Sequence, residues 1–221
     1  MARVEYQAQL NALEADLQEQ GAVVLRAVRG AINALETQDA ELCDEVIACD
    51  DEIDVRYHRI EKVIEELLAQ QAPVAGDLRL ILAVLHSSIH LERIGDQSVT
   101  IAKLTKLSSD LDTHHELVEG LKEMGDRAEE MVRLALNTFS RRDLEVARSL
   151  VDLDELIDRT NRRVVDSVLA LAATPGTQEW GMRMIVVARC IERIGDNAVD
   201  IGEQIGFLTT GEFIEFSDAS H

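Results

Sequence analysis

Apolar residues recur along this chain at alternating steps of four and three, the signature of one continuous helical face. Between about Glu5 and Glu36, the positions Leu10, Leu13, Leu17, Val24, Val28, Ile32 and Leu35 keep roughly one side and predict a first long helix. Asp39 reads as the N-cap of a second, Ala40 to about Gln70, whose stripe runs Val46, Asp50, Ile53, Tyr57, Ile60, Ile64 and Leu67. Gln70-Gln71-Ala72-Pro73 breaks that helix. A third, about Val74 to Lys106, carries Leu78, Leu82, Leu85, Ile89, Glu92, Asp96 and Val99 in unbroken heptad spacing. The polar stretch from Leu107 to His115 then predicts a boundary between residues 1–108 and residues 109–221.

The second half repeats the first. Residues 31–54 align without a gap on 135–158, pairing Ala31 with Ala135, Asn33 with Asn137, Asp39 with Asp143, Asp50 with Asp154, Ile53 with Ile157 and Asp54 with Asp158. A matching stripe follows in Leu150, Asp154, Ile157, Asn161, Val164, Val168 and Leu171. Beyond the turns at Pro73 and Pro175 the offset falls from 104 to 100, and Glu92-Arg93-Ile94-Gly95-Asp96 returns as Glu192-Arg193-Ile194-Gly195-Asp196 in a last helix of about Thr177 to Leu208. Thr209 to His221 reads as a short acidic tail. Short turns make neighbouring helices antiparallel. The expectation is an all-α protein of two pseudo-symmetric three-helix bundles, six long antiparallel helices in total.

Composition narrows the class. An apolar fraction of 46% with only 3% aromatics calls for a core of Leu, Val, Ile and Ala, as in helix bundles. A formal net charge of −20 argues against nucleic acid, whose phosphates need clustered Lys and Arg, and against an anionic membrane surface. No uninterrupted apolar run exceeds six residues, as in Leu80 to Leu85, against about 18 for a membrane span, and Met1-Ala2-Arg3 leads into no signal-like segment. These features predict a cytoplasmic protein with no direct membrane insertion. Cys43, Cys49 and Cys190 form no C-x-x-C pair and read as reduced, mostly buried thiols.

The candidate chemistry lies in the acids that interrupt the apolar stripes. In each half a D-x-x-x-D on the second helix and an E-x-x-x-D on the third occupy seams expected to face one another, bringing together Asp50, Asp54, Glu92 and Asp96, and again Asp154, Asp158, Glu192 and Asp196. Carboxylates about 4 Å apart repel by roughly 4 kcal/mol per pair at an effective dielectric near 20. A bound cation relieves that conflict; shared protons are the other solution. All-oxygen ligation suits Mg, Ca, Mn or iron better than Zn. Gly95 and Gly195, beside the acids, predict a close approach to the backbone. The halves differ in Arg189, which replaces Ile89 and offers a counter-charge, and in Asp200, which replaces Thr100 and adds an acid to the second site. His86 and His90 read as core or surface residues because Val186 and Cys190 stand in their places. Arg93 and Arg193 read as surface ion pairs or partner contacts, Asn33 and Asn137 as polar links to the site or exposed residues, and the Asp112/His115 and Asp218/His221 pairs as incidental.

The doubled E-x-x-x-D within Leu91 to Asp96 and Ile191 to Asp196, with Pro73-Val74-Ala75-Gly76-Asp77-Leu78-Arg79 before the third helix, closely resembles the PhoU family of phosphate-signalling regulators over about Glu5 to Leu208. The resemblance implies multinuclear metal clusters at the E/D-x-x-x-D motifs, with iron foremost and Mn, Zn, Mg or Ca as alternatives. It also implies a non-catalytic, cytoplasmic negative regulator of phosphate uptake, an adaptor between the ATPase of the phosphate ABC transporter and a sensor histidine kinase, in a chain compatible with a homodimer. The alternative is a carboxylate-bridged di-metal oxidase or metal-storage protein of the ferritin-like kind. That class uses Glu-x-x-His, and the residues three before each His here are Val55, Ala83, Ser87, Leu111, Asp112 and Asp218, never Glu.

Overall fold

The computed structural model describes residues 2–171 and 176–216; Pro175 and the Asp218/His221 pair lie outside the described residues. All regular structure among them is helical: α1 (Ala2–Thr37), α2 (Ala40–Gln71), α3 (Ala75–Leu107), α4 (His115–Arg141), α5 (Leu144–Arg148), α6 (Leu150–Leu171) and α7 (Gln178–Thr210). The all-α expectation holds, with one difference in the helix count. The helix expected after Asp143 is divided into α5 and α6 at Ser149, whose N–H bonds the Val146 carbonyl, three residues back, at 3.1 Å.

The repeat is visible in the turns. Gln38 and Arg142, 104 residues apart, both take the left-handed conformation with φ +56° and end the first helix of their half. The next residue caps the following helix. Asp39 accepts from the N–H groups of Glu41 and Leu42 at 2.9 and 3.1 Å, and Asp143 accepts from Val146 N–H at 3.1 Å, satisfying amides that would otherwise have no intrahelical partner.

The halves share one contiguous apolar core. α1, α3, α4 and α7 form its inner layer, with α1 against α4 and α3 against α7, while α2 packs only on α1 and α3, and α6 on α4, α5 and α7. α1 and α4 run antiparallel, since Glu14 pairs with Arg142, Arg29 with Glu129, and Glu36 with Lys122. At their crossing, Gly21 receives the side chain of Leu136, where an added Cβ would lie 2.6 Å from both terminal carbons, and Gly125 receives Ile32 in the same way. The two glycines and the two knobs are each 104 residues apart, so the contact is reciprocal, like an isologous dimer interface inside one chain. α3 and α7 are antiparallel as well: His90 meets Asn197 at 2.9 Å, and Arg183 reaches the Leu107 carbonyl.

This layering corrects the placement of the third-helix stripe. Ile81, Val84, Ser87, Ser88, Leu91, Ile94, Gly95, Ser98 and Ile101 form the buried face of α3, whereas Leu78, Leu82, Leu85, Ile89 and Glu92 are half-buried and Asp96 is exposed. In α7, Met182, Arg189 and Asp196 are likewise exposed. α3 meets α1, α2 and α7, and α7 meets α3, α4, α5 and α6, so the apolar surface of each is wider than one heptad seam. The stripe read from spacing is its outer edge, facing α2 or α6.

Gly125→Ala is therefore expected to destabilise the fold by roughly 1–3 kcal/mol through overpacking against Ile32, although Ala is the better helix former by about 1 kcal/mol. Denaturant titration should show Ile32→Ala costing less in the Gly125→Ala background than alone. Strict additivity of the two changes would contradict the interlock.

Candidate metal centres

The acids are delivered to two equivalent places, the α2/α3 seam and the α6/α7 seam. On α2, Ile53 is buried and Asp50 half-buried one turn earlier, with Asp54 exposed on the same edge. The close approach expected at the motif glycines is present. A Cβ on Gly95 would lie 2.7 Å from Ile53 Cδ1, and one on Gly195 would lie 2.7 Å from Asp154 Oδ1 and 3.3 Å from Ile157 Cδ1. Ile53 and Ile157 are repeat equivalents, so the glycine lets the outer helix lie close to the motif helix in both halves.

In the first half the acids feel one another. Burial raises the pKa of Asp50, with Asp54 and Asp96 adding to it and Lys103 opposing. Burial also raises Glu92, with Asp96, Asp54 and Asp50 pushing the same way and Arg93 opposing. Asp96 rises through burial and Asp54. None of the four side chains has a hydrogen bond or ion pair among the described residues. Tyr57, half-buried nearby, donates its hydroxyl to Glu61 at 2.6 Å rather than to Glu92.

The second half is partly neutralised. Arg189 pairs with Glu192, and Asn161, the repeat equivalent of Tyr57, donates to the other Glu192 oxygen at 2.7 Å. Both oxygens of Glu192 are thus engaged. Asp196 is pushed up to about 6 by burial first and then by Glu192, with Arg189 opposing and Asp158 and Asp200 adding to the rise. Asp154 turns toward the α7 backbone at Gly195. Asp200 reaches across to the other half, where its carboxylate lies 3.2 Å from His90 Nδ1.

The convergence is looser than a closed cage. Among the described residues no three His, Cys, Asp or Glu side chains are set to hold one ion together. The first-half acids nevertheless fit a cation by chemistry, being all-oxygen, mutually repelling and without protein counter-ions in contact. The second-half acids fit one less well, because Arg189 and Asn161 already satisfy Glu192.

Other sequence candidates fall into place. Cys43 and Cys190 are buried, and burial pushes the Cys190 thiol up to about 11, which suits an inert thiol. Asn137 bonds its own helix at the Arg133 carbonyl, 3.1 Å away, and neither it nor Asn33 reaches the acids. His90 is a link between halves that spacing along the chain did not reveal, because its partners lie about a hundred residues away on α7.

A family model described as the PhoU domain matches residues 17–105 and again 121–205. The chain is 29% identical over 220 residues to the "Phosphate-specific transport system accessory protein PhoU homolog" of Clostridium acetobutylicum, covering 99% of this chain and 100% of that one. It is 31% identical over 209 residues to the homolog of the same name from Pseudomonas aeruginosa, covering 94% and 86%. The crystal structure of PhoU from Pseudomonas aeruginosa superposes with a TM-score of 0.88 at 29% identity, covering 94% of this chain and all of that one. That of the phosphate transport system regulatory protein PhoU from Streptococcus pneumoniae gives 0.86 at 27%, covering 95% and 99%.

The shifted acids set a pH dependence. Asp196 moves from an ordinary 3.8 to about 6, so the folded chain holds this proton more tightly than the unfolded one, and stability falls as pH rises between those values. Asp50, Glu92 and Asp96 shift in the same direction. The depressed carboxylates Glu61 and Glu129 act in the opposite sense, but below their ordinary 4.5. With chelator present, the melting temperature should rise between pH 7 and pH 5, and Asp196→Asn should flatten part of that slope. A melting temperature that falls over the same window would contradict the assignment.

Proposed function

The chain belongs to the PhoU family, and on that premise we propose that it is a cytoplasmic, non-catalytic negative regulator of phosphate uptake and phosphate-starvation signalling. In this reading it is an adaptor between the ATPase of the phosphate ABC transporter and a sensor histidine kinase. The observation that carries the reading is the family match to both halves in tandem, alongside relatives named as accessory proteins of phosphate-specific transport. Two features of the fold support it. No described helix is long and apolar enough to cross a membrane, and the acids lie in open seams between helices rather than in an enclosed, water-free pocket of the kind substrate chemistry uses.

The metal reading is part of the proposal. Asp50, Asp54, Glu92 and Asp96 would hold a cation in the first half, and Asp154, Asp158, Asp196 and Asp200, with Glu192 already paired, would form a second and weaker set. A hard divalent or trivalent ion such as iron, Mn, Mg or Ca would supply positive charge that offsets the carboxylate repulsion. What the protein's own groups contribute is placement: Gly95 and Gly195 let α2 and α6 approach, and the edge half-buries Asp50 and Glu92. Arg189 performs part of the cation's role in the second half.

Deleting the gene in the native host should derepress phosphate uptake, and a pull-down should recover the transporter ATPase or the kinase. Recovery of neither partner, with uptake unchanged, would end the adaptor reading. Elemental analysis after loading with Fe, Mn, Zn or Mg should find stoichiometric metal, with Asp96→Ala removing more of it than Asp196→Ala. Absence of stoichiometric metal under every condition would end the cluster reading alone.

A further inference from the structure

The arginines of the two Glu-Arg-Ile-Gly-Asp copies meet. Arg93 and Arg193, together with Gln97, Asp196, Asn197 and Asp200, line a single cleft of about 400 Å³ between α3 and α7. The antiparallel register that sets His90 beside Asn197 and Asp200 puts the two motifs side by side, so the repeat brings a guanidinium from each half to one place. Both arginines are exposed, and among the described residues neither side chain makes an ion pair or a hydrogen bond. In a chain with 42 acidic and 22 basic residues, where most described arginines have found a carboxylate, two uncommitted ones in the same cleft call for an external anion.

The rest of the cleft narrows what that anion is. Gln97 and Asn197 each offer a side-chain amide, and Asn197 is held in place, its Nδ2 donating to the Arg193 carbonyl at 2.7 Å and its Oδ1 lying 2.9 Å from His90 Nδ1. Asp196 and Asp200 add carboxylates, which only accept hydrogen bonds. A fully ionised oxyanion is attracted by the arginines and repelled by these acids. An oxyanion that keeps a proton can donate it to a carboxylate while its remaining oxygens take the guanidinium N–H groups, Arg forks being matched to tetrahedral phosphate geometry.

We propose that the α3/α7 cleft binds inorganic phosphate, with Arg93 and Arg193 as its charge-bearing ligands, Gln97 and Asn197 as neutral donors and a cleft carboxylate receiving the phosphate O–H. Sulfate, which carries no proton near neutral pH, meets the carboxylates as like charges and is rejected. His90 acts as a positioning residue, tying Asp200 and Asn197 of the second half to the first. The site shares Asp196 and Asp200 with the second acid set but rests on the arginine cleft and not on the adaptor or metal readings, and its failure would leave both untouched.

The test is isothermal titration of the intact chain, in chelator so that phosphate cannot enter through a bound metal, with inorganic phosphate, sulfate and phenyl phosphate at up to about 10 mM. One phosphate per chain is expected, with Arg93→Gln and Arg193→Gln each weakening it about tenfold and sulfate weaker by on the order of tenfold or more. Phenyl phosphate, largely without its last proton at neutral pH, should bind more weakly than inorganic phosphate there. Arg93→Lys should recover only part of the loss, since the ammonium keeps the charge without the fork. No heat and no thermal shift with phosphate, phosphate binding unchanged in the Arg93→Gln/Arg193→Gln double variant, or sulfate binding as tightly as phosphate would each overturn the proposal. These side chains are exposed, and helical circular dichroism of each variant fixes its fold before titration.

Discussion

The reciprocal insertion of Leu136 over Gly21 and Ile32 over Gly125 is the contact on which the rest of the molecule depends. Each three-helix half buries its inner apolar face against the other half, in one shared core. Without the glycines α1 and α4 would be held apart, and α3 could not lie against α7. Arg29 adds an ionic link at the same crossing. Its partner Glu129 is raised by burial, but Arg29 and Arg133 together outweigh that and hold its pKa below the usual value. Arg29 and Arg133 are themselves repeat equivalents, so a single carboxylate serves both copies.

Once α1, α3, α4 and α7 form the inner layer, the position of the acids follows. The motif helices face inward with Leu91, Ile94, Ile191 and Ile194 fully buried, which turns Glu92, Asp96, Glu192 and Asp196 outward by part of a turn onto the edges covered by α2 and α6. There burial raises the proton affinity of Glu92, Asp96 and Asp196, while the edge stays open to solvent. The same rotation sends Arg93 and Arg193 to the opposite edge, where α3 and α7 meet. One five-residue motif thus presents its Glu to the outer seam and its Arg to the inner one, about 100° away around the helix, and in the second copy Asp196 also lines the α3/α7 cleft.

The long helices, the cap at Asp39 and the D-x-x-x-D and E-x-x-x-D spacings are legible in the sequence, because each depends on spacing within some 40 residues, and the repeat shows as alignment at offsets of 104 and 100. What spacing could not supply was the packing of one half on the other. Heptad counting marks one seam per helix, and α3 has three neighbours and α7 four, so the acids read as core residues where the structure puts them at its margin. Gly21 and Gly125 carried no local signal, since their purpose becomes visible only when Leu136 and Ile32 arrive from the other half. His90 was set aside because Cys190 stands at the equivalent place, but its partners belong to the other copy. The division at Ser149 was hidden by an apolar stripe that begins at Leu150, beyond the break.

The halves have diverged in a consistent direction. Along the inner face of α3, Ser87, Ser88, Ser98 and Thr105 are buried where α7 has Val187, Ala188, Ala198 and Ile205. Gln20 on α1 is drawn into that polar seam, its amide donating to the Ser88 carbonyl at 3.0 Å and accepting from Ser88 Oγ at 2.7 Å, while its repeat equivalent is the apolar Met124. Ser87 Oγ and Thr105 Oγ1 are buried with no partner among the described residues, each costing about 1–3 kcal/mol relative to a satisfied group. The first half thus has the more polar inner face, although α7 also buries polar atoms without a partner among the described residues, at Trp180 Nε1 and Gln204 Oε1. It is also the half whose acids lack protein counter-ions, whereas Arg189 and Asn161 already quiet Glu192. Buried hydroxyls without partners and acids without protein counter-ions thus fall on the same helix, α3.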